Sequence, residues 1–352
     1  MKRLAIRIVL FSLLPLLWIP MGCHHRAPRN ITPAFYYWKS VYSMSPYEKN
    51  ILNQLKVHTL YIKFFDVDWD SLHQKVMPSA KITFRDPSYH GFTIIPVVFI
   101  TNETLIHTPD AQIQDVARHI TGLIGDIMWK AQMNRPTEIQ FDCDWTAATK
   151  DKYFLLLKTA HEQLYNSGES KTLISATIRL YQCKYLTETG VPPVSRGLLM
   201  CYNMGDLKSP GTGNSILDPD VLKKYVTSIH TYPLPLDVAL PLFDWKVLFR
   251  DGLYRGLVEG LPDSLLQHSP AVKQDHQRFT FLSDTTVAGY SFKKGDILRA
   301  EQSNYPDIIK VGDLLSEKLN TQDLHVILYD LDSLTLSKYT VHEMENMFDR
   351  LH

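Results

Sequence analysis

Cysteine is scarce: four residues in 352, with no CxxC pair, which excludes a disulfide framework and a thiolate zinc site. No charge sign dominates either. Lys+Arg and Asp+Glu each total 37, and a removable leader holding Lys2, Arg3 and Arg7 leaves 34 against 37. A balance near -3 excludes a phosphate-tracking nucleic-acid binder, which carries a basic face. There is no Gly-rich phosphate loop and no GxSxG elbow around Ser175 or Ser195. His58, His107, His161, His230 and His325 lack metal-ligand spacing such as HExxH, and the DVDWD run lacks the calcium-loop spacing and its glycine. No cofactor or metal is expected. What the chain has is apolar and aromatic: 45% hydrophobic residues, with 18 Tyr, 15 Phe and 6 Trp. Such a length and composition bury a large core, and surface aromatics suit flat, partly apolar ligands such as sugars.

The one long apolar run lies at the amino terminus, from Ile8 to Ile19, after a basic start and before Gly22-Cys23. It is short for a stable membrane span and has the three-part shape of a secretory signal. It resembles a bacterial lipoprotein signal, in which cleavage before the cysteine leaves Cys23 to carry lipid. An ordinary signal peptide and an uncleaved anchor are the alternatives. On the lipoprotein reading, residues 1–22 are the signal and 23–32 a tether, and the protein sits in the bacterial cell envelope, at the outer membrane, anchored through Cys23. Cys143 and Cys201 fall in apolar runs and read as small buried hydrophobes.

Eight apolar or β-branched runs follow, separated by helical or loop segments: 34–38, 57–65, 92–101, 138–145, 172–180, 197–205, 236–245 and 324–332. Ser45-Pro46 opens a helix with a cap and proline at N1. Ile113, Val116, Ile120, Leu123, Ile124 and Ile127 have the spacing of a helix that covers a sheet. Near-continuous apolar strands alternating with helices predict parallel strands, and eight units predict a closed (β/α)8 TIM barrel of the α/β class over residues 33–352. The rhythm breaks at about 246–306, where short strand-like runs with Gly and Asp turns predict a β-rich insertion between strands seven and eight. A separate core in so short a segment is not evident, so one domain is expected.

The acidic strand ends carry the chemistry. In EIQFDCDW, alternation by two puts Asp142 and Asp144 on one side of strand four and Cys143 toward the helices. Two close carboxyls raise each other's pKa and can hold one proton between them. Further rim candidates are Asp66, Asp68 and Asp70 after strand two, Glu103 after strand three, Asp244 at the end of strand seven, and Asp330 and Asp332 at the end of strand eight. Glycoside hydrolysis needs two facing carboxyls from any strands, so Asp142 or Asp144 opposed by Asp244, Glu103 or Asp330 would serve. Each of these also reads as a helix cap or an ion-pair partner. Trp38, Trp69, Trp145 and Trp245 stand at strand ends, where they either stack on sugar rings or pack against helices. Arg179 on strand five either neutralises the aspartates or binds a ligand carboxylate.

EIQFDCDWT resembles strand four of the family 18 glycoside hydrolases, the chitinase-like superfamily, whose signature is DxxDxDxE. Its two later aspartates fall on Asp142 and Asp144, its first on Ile139, and its glutamate, the acid that protonates the glycosidic oxygen, on Thr146. MCYN resembles the MxYD of strand six, with Tyr202 retained and the aspartate replaced by Asn203. The lipoprotein start together with FFDVDWD, EIQFDCDWT and VPPVSRGLLMCYNMG also resembles a Bacteroidetes-like group of bacterial lipoproteins with a predicted barrel fold. These resemblances imply a barrel acting on glycans, with Asp142, Asp144, Tyr202 and Asp244 as catalytic candidates. Trp38, Asp66, Asp68, Glu103, Trp145, Arg179, Asn203, Trp245 and Asp330 are the candidate glycan contacts. A barrel that binds carbohydrate without cleaving it, or an envelope-assembly lipoprotein, fits the same pattern.

Overall fold

The computed structural model describes residues 29–352 except 167, 169 and 170; the leader, Cys23 and the tether up to residue 28 lie outside the described residues. Eight strands form the barrel: β1 (Asn30–Tyr37), β2 (Thr59–Asp70), β3 (Thr93–Ile100), β4 (Glu138–Cys143), β5 (Leu173–Arg179), β6 (Arg196–Met200), β7 (Leu236–Pro241) and β8 (Asp323–Tyr329). Each pairs in parallel with its sequence neighbours, and β1 closes the ring by pairing with both β2 and β8. Phe35 stands opposite Leu60 on one side and Leu328 on the other. The α/β barrel expected from eight runs is therefore the architecture found. β1 also takes in residues 30–32, left in the tether by the sequence reading, because Asn30 pairs with Asp323 and its N–H bonds Gln322 O at 2.9 Å.

The helices form where the sequence places their signals. Ser45 and Glu48 make a reciprocal capping box at the start of Pro46–Gln54, satisfying backbone donors that the first turn leaves free. The helix Ile113–Lys130 buries Ile113, Val116, Ala117, Ile120, Ile124 and Met128, and its apolar stripe covers the sheet. On β4 the two-residue period sorts side chains into layers. Ile139, Phe141 and Cys143 join the helix-facing core, while Gln140 and Asp142 make hydrogen bonds across the barrel interior. That interior is polar. Arg196 holds Asp237 at 2.7 Å, and Tyr61 O–H meets His325 Nδ1 at 2.7 Å. Buried polar groups of this kind are tolerated because they find partners.

Between β7 and β8 the chain builds a five-stranded antiparallel sheet from Asp244–Arg250, Leu253–Val258, Val272–Asp275, Arg278–Phe281 and Ile297–Gln302. Its first hairpin turns at Asp251-Gly252, both at positive φ (54° and 73°), the conformation that a two-residue type I′ turn demands and that Asp-Gly supplies. The segment has a small apolar cluster of its own, formed by Val258, Leu261, Leu266, Phe279, Phe281, Phe292 and Leu298, a core that the sequence reading did not find. Arg299 ties the sheet to the loop after β6. It is 1% exposed and donates to Ser209 O at 2.6 Å, Leu207 O at 3.1 Å and Glu301 at 2.6 Å.

Candidate active site

A cavity of about 1180 Å3 opens between the carboxyl ends of the barrel strands and the inserted sheet. Its rings are linked one to the next. Trp38 meets Tyr329 at 5.6 Å between centroids, Tyr329 meets Phe243 at 5.6 Å and Tyr202 at 5.4 Å, and Phe243 meets Trp245 at 5.1 Å. Tyr36 lies beneath, 1% exposed, its hydroxyl bonded to Gln140. Trp38 comes from the residue after β1, Tyr202 from just beyond β6 and Tyr329 from the end of β8, so three separate strand ends supply the aromatic floor.

Asp142 is 5% exposed and accepts one hydrogen bond, from the Thr177 hydroxyl at 2.6 Å. Burial, and then the neighbouring charge of Asp144, pushes its carboxyl up to about 6, against the pull of Thr177 and Arg179. One donor is fewer than an ionised carboxylate accepts when it is well solvated. Asp144 is in a different state. Arg179 holds it in a two-point fork, Nε at 2.5 Å and Nη2 at 2.8 Å, the geometry in which guanidinium matches carboxylate best. Arg179 thus neutralises Asp144 while itself lining the cavity. Asp330 also lines the cavity, and burial followed by the charge of Asp332 pushes it up to about 6.

The remaining candidates divide between cavity and elsewhere. Asp142, Asp144, Tyr202, Asn203, Arg179, Trp38, Trp245, Asp244 and Asp330 all line the cavity. Asn203 sits at φ 53°, left-handed backbone that asparagine tolerates better than most residues. Asp244 is not the end of strand seven. β7 stops at Pro241, and Asp244 opens the inserted sheet and pairs with Lys338. Trp145 is not a rim platform. The strand ends at Cys143, and the indole falls into the helix layer, 0% exposed, stacked on Tyr153 at 5.2 Å with Nε1 donating to Thr189 O at 2.9 Å. Asp66 pairs with Lys63 at 2.9 Å, Asp68 accepts from Ser79, and Glu103 is exposed on the first turn of the helix Asn102–His107. None of these three lines the cavity. Trp69 stacks on His107 at 5.5 Å, also away from it.

Sequence reasoning missed the wall contributed by the insertion: Lys246, Glu259, His276 and Glu301. Glu301 accepts from Trp245 Nε1 at 2.8 Å and fixes the indole at the cavity edge. The two residues are adjacent only through strand pairing, and no local motif marks them. Thr146, at the position of the family's acid, is exposed outside the cavity, where its N–H bonds Thr149 Oγ1 at 3.0 Å. Among the described residues no group of three His, Cys, Asp or Glu could hold a metal ion.

No protein-family model and no curated protein matches the chain. Solved structures do match. The spore cortex-lytic enzyme SleL of Bacillus cereus is 13% identical with a TM-score of 0.56, covering 92% of this chain and 75% of that one. A class V chitinase mutant from Cycas revoluta, in complex with (GlcNAc)3, is 12% identical with a TM-score of 0.53, covering 90% and 99%. The chitinase-like agglutinin of Robinia pseudoacacia is 13% identical with a TM-score of 0.51, covering 90% and 98%. At these identities the likeness speaks for fold, and it agrees with the resemblance carried by EIQFDCDWT and MCYN. The chain has the (β/α)8 barrel fold of the chitinase-like, family 18 glycoside hydrolases.

Proposed function

We propose that this chain binds an oligosaccharide across the carboxyl end of its barrel. The observation that carries the reading is the row of rings Trp38, Tyr329, Phe243 and Trp245 beside carboxyls that other side chains already hold in place. Sugar rings present apolar CH faces to such aromatics and hydroxyls to such carboxyls, and preset partners lower the ordering cost of binding. One solved relative of this fold carries (GlcNAc)3 and another is an agglutinin, which makes an N-acetylhexosamine oligomer the first ligand to try. Attachment to a bacterial membrane through lipid on Cys23 belongs to the same proposal.

A second reading, glycoside hydrolysis, is favoured by one observation. Asp142 and Asp330 are the cavity carboxyls pushed up to about 6, so up to about that pH they can hold the proton that Thr146 cannot give. Asp144 and Asp244 are tied up in ion pairs. The test is a glycan-array screen run beside a product assay on wild type, Asp142→Asn and Asp330→Asn. Binding with turnover that falls by a factor of about 10² to 10⁴ in one variant supports hydrolysis. Binding without product from any bound sugar leaves the binder, and no glycan bound at all rejects both.

A further inference from the structure

In a (β/α)8 barrel the helices run back against the strands, so helix carboxyl ends and strand amino ends share one face, opposite the cavity. Three apolar side chains protrude from that face. Trp129 is near the end of the helix Ile113–Lys130, Tyr165 near the end of Lys150–Asn166, and Leu173 is the first residue of β5; they are 79%, 64% and 44% exposed. Leu173 N–H bonds Thr137 O at 2.9 Å, and Trp129 shares a groove with Asp126, Arg135, Pro136 and Gln163, two residues before Tyr165. Of the tryptophans in the described residues, Trp129 alone is among the large exposed side chains. Lys130, Arg135 and Lys171 are exposed within six residues of these side chains along the chain, against the exposed Asp126 and Glu162. The opposite face is acidic. Eight carboxyl side chains line the cavity against four Lys and Arg.

The chain also enters at this face. Arg29 precedes β1, and its guanidinium is fastened to Ser316 O at 2.7 Å, Leu319 O at 2.7 Å and Leu351 O at 3.0 Å. Five residues lie between Cys23 and Arg29, six steps of chain that reach roughly 20 Å even when fully extended. We propose that the amino-terminal face of the barrel, with Trp129, Tyr165 and Leu173 at its contact point, seats on an anionic lipid surface and turns the cavity away from the membrane. The inference rests on the lipid anchor at Cys23. Tryptophan and tyrosine favour the membrane interface, and Lys and Arg near them are drawn to anionic headgroups. No helix of the described residues is long and apolar enough to cross a membrane, so the contact is peripheral.

The test uses the full lipidated chain on vesicles of phosphatidylethanolamine and phosphatidylglycerol with brominated acyl chains, which quench indoles at the interface. Flotation reports the anchor, and tryptophan emission reports the docking face. Five tryptophans follow Cys23, so loss of roughly a fifth of the emission is expected, abolished by Trp129→Phe and at least halved in a Lys130→Glu, Lys171→Glu variant or on vesicles without phosphatidylglycerol. A chain that floats while Trp129 stays unquenched overturns the docking face alone. A chain that does not float overturns the anchor and the docking with it.

Discussion

The Asp142 carboxyl is buried with a single hydrogen-bond donor, and folding moves it from 3.8 to about 6. The folded state therefore binds this proton more tightly than the unfolded chain. The stability it contributes is complete below about pH 3.8 and is lost as pH rises to about 6, a decline of at most about 3 kcal/mol. Asp142→Asn keeps an oxygen for the Thr177 hydroxyl and removes the titration. Its unfolding free energy should exceed that of wild type at pH 7 and match it near pH 4, as urea melts at the two pH values will read. A wild-type advantage at pH 7 would contradict the burial account. Trp245, fixed by Glu301 at 2.8 Å, makes a second prediction. If a sugar stacks on it, Trp245→Ala should weaken binding by about 0.5–1.5 kcal/mol, roughly 2- to 13-fold, in calorimetric titration, with the melting curve little changed.

Among elements, the inserted sheet is tied to the loop after β6 through Arg299. Arg299 is 1% exposed, lies 5.0 Å from the Phe249 ring, and is the cationic partner of Glu301, itself 2% exposed. Arg299→Met keeps the volume but strands a buried carboxylate, at a cost of about 3–5 kcal/mol. Denaturant melts should show that loss, and limited proteolysis should reach the 206–215 loop, which Arg299 holds through Ser209 O and Leu207 O. The barrel strands were legible because buried parallel strands are continuous apolar runs, and their ends were mostly read to within a few residues. Run seven was not. Pro241 ends β7, Leu242 N–H bonds Tyr329 O at 2.7 Å, and the chain leaves the barrel before Asp244. A window of apolar residues carries no sign of that exit. Asp142 could be read because a strand's period is local; Asp144 lies just past the strand end and is set there by Arg179. Trp145 could not, because its direction depends on the chain leaving β4 at Cys143. Glu301 owes its place to strand pairing across the insertion, which spacing along the chain does not encode.

The chain as a unit has a polarity. Its acidic, aromatic cavity lies at one end of the barrel and its tryptophan-bearing face at the other. On the anchored reading, intact-mass measurement of the mature protein from a bacterial host should find lipid on Cys23, and Cys23→Ala should leave the chain without lipid and out of the membrane fraction. An unmodified terminus at another residue would remove the anchor and leave the cavity unaffected. The cavity itself is tested most directly by titrating the mature protein with the glycan that a broad array selects, beside Trp38→Ala, Trp245→Ala and, as a control on the far face, Trp129→Ala. The account predicts saturable one-site binding, weakened in the first two variants and unchanged in the third. No bound glycan, or binding that the cavity variants leave intact, would contradict it.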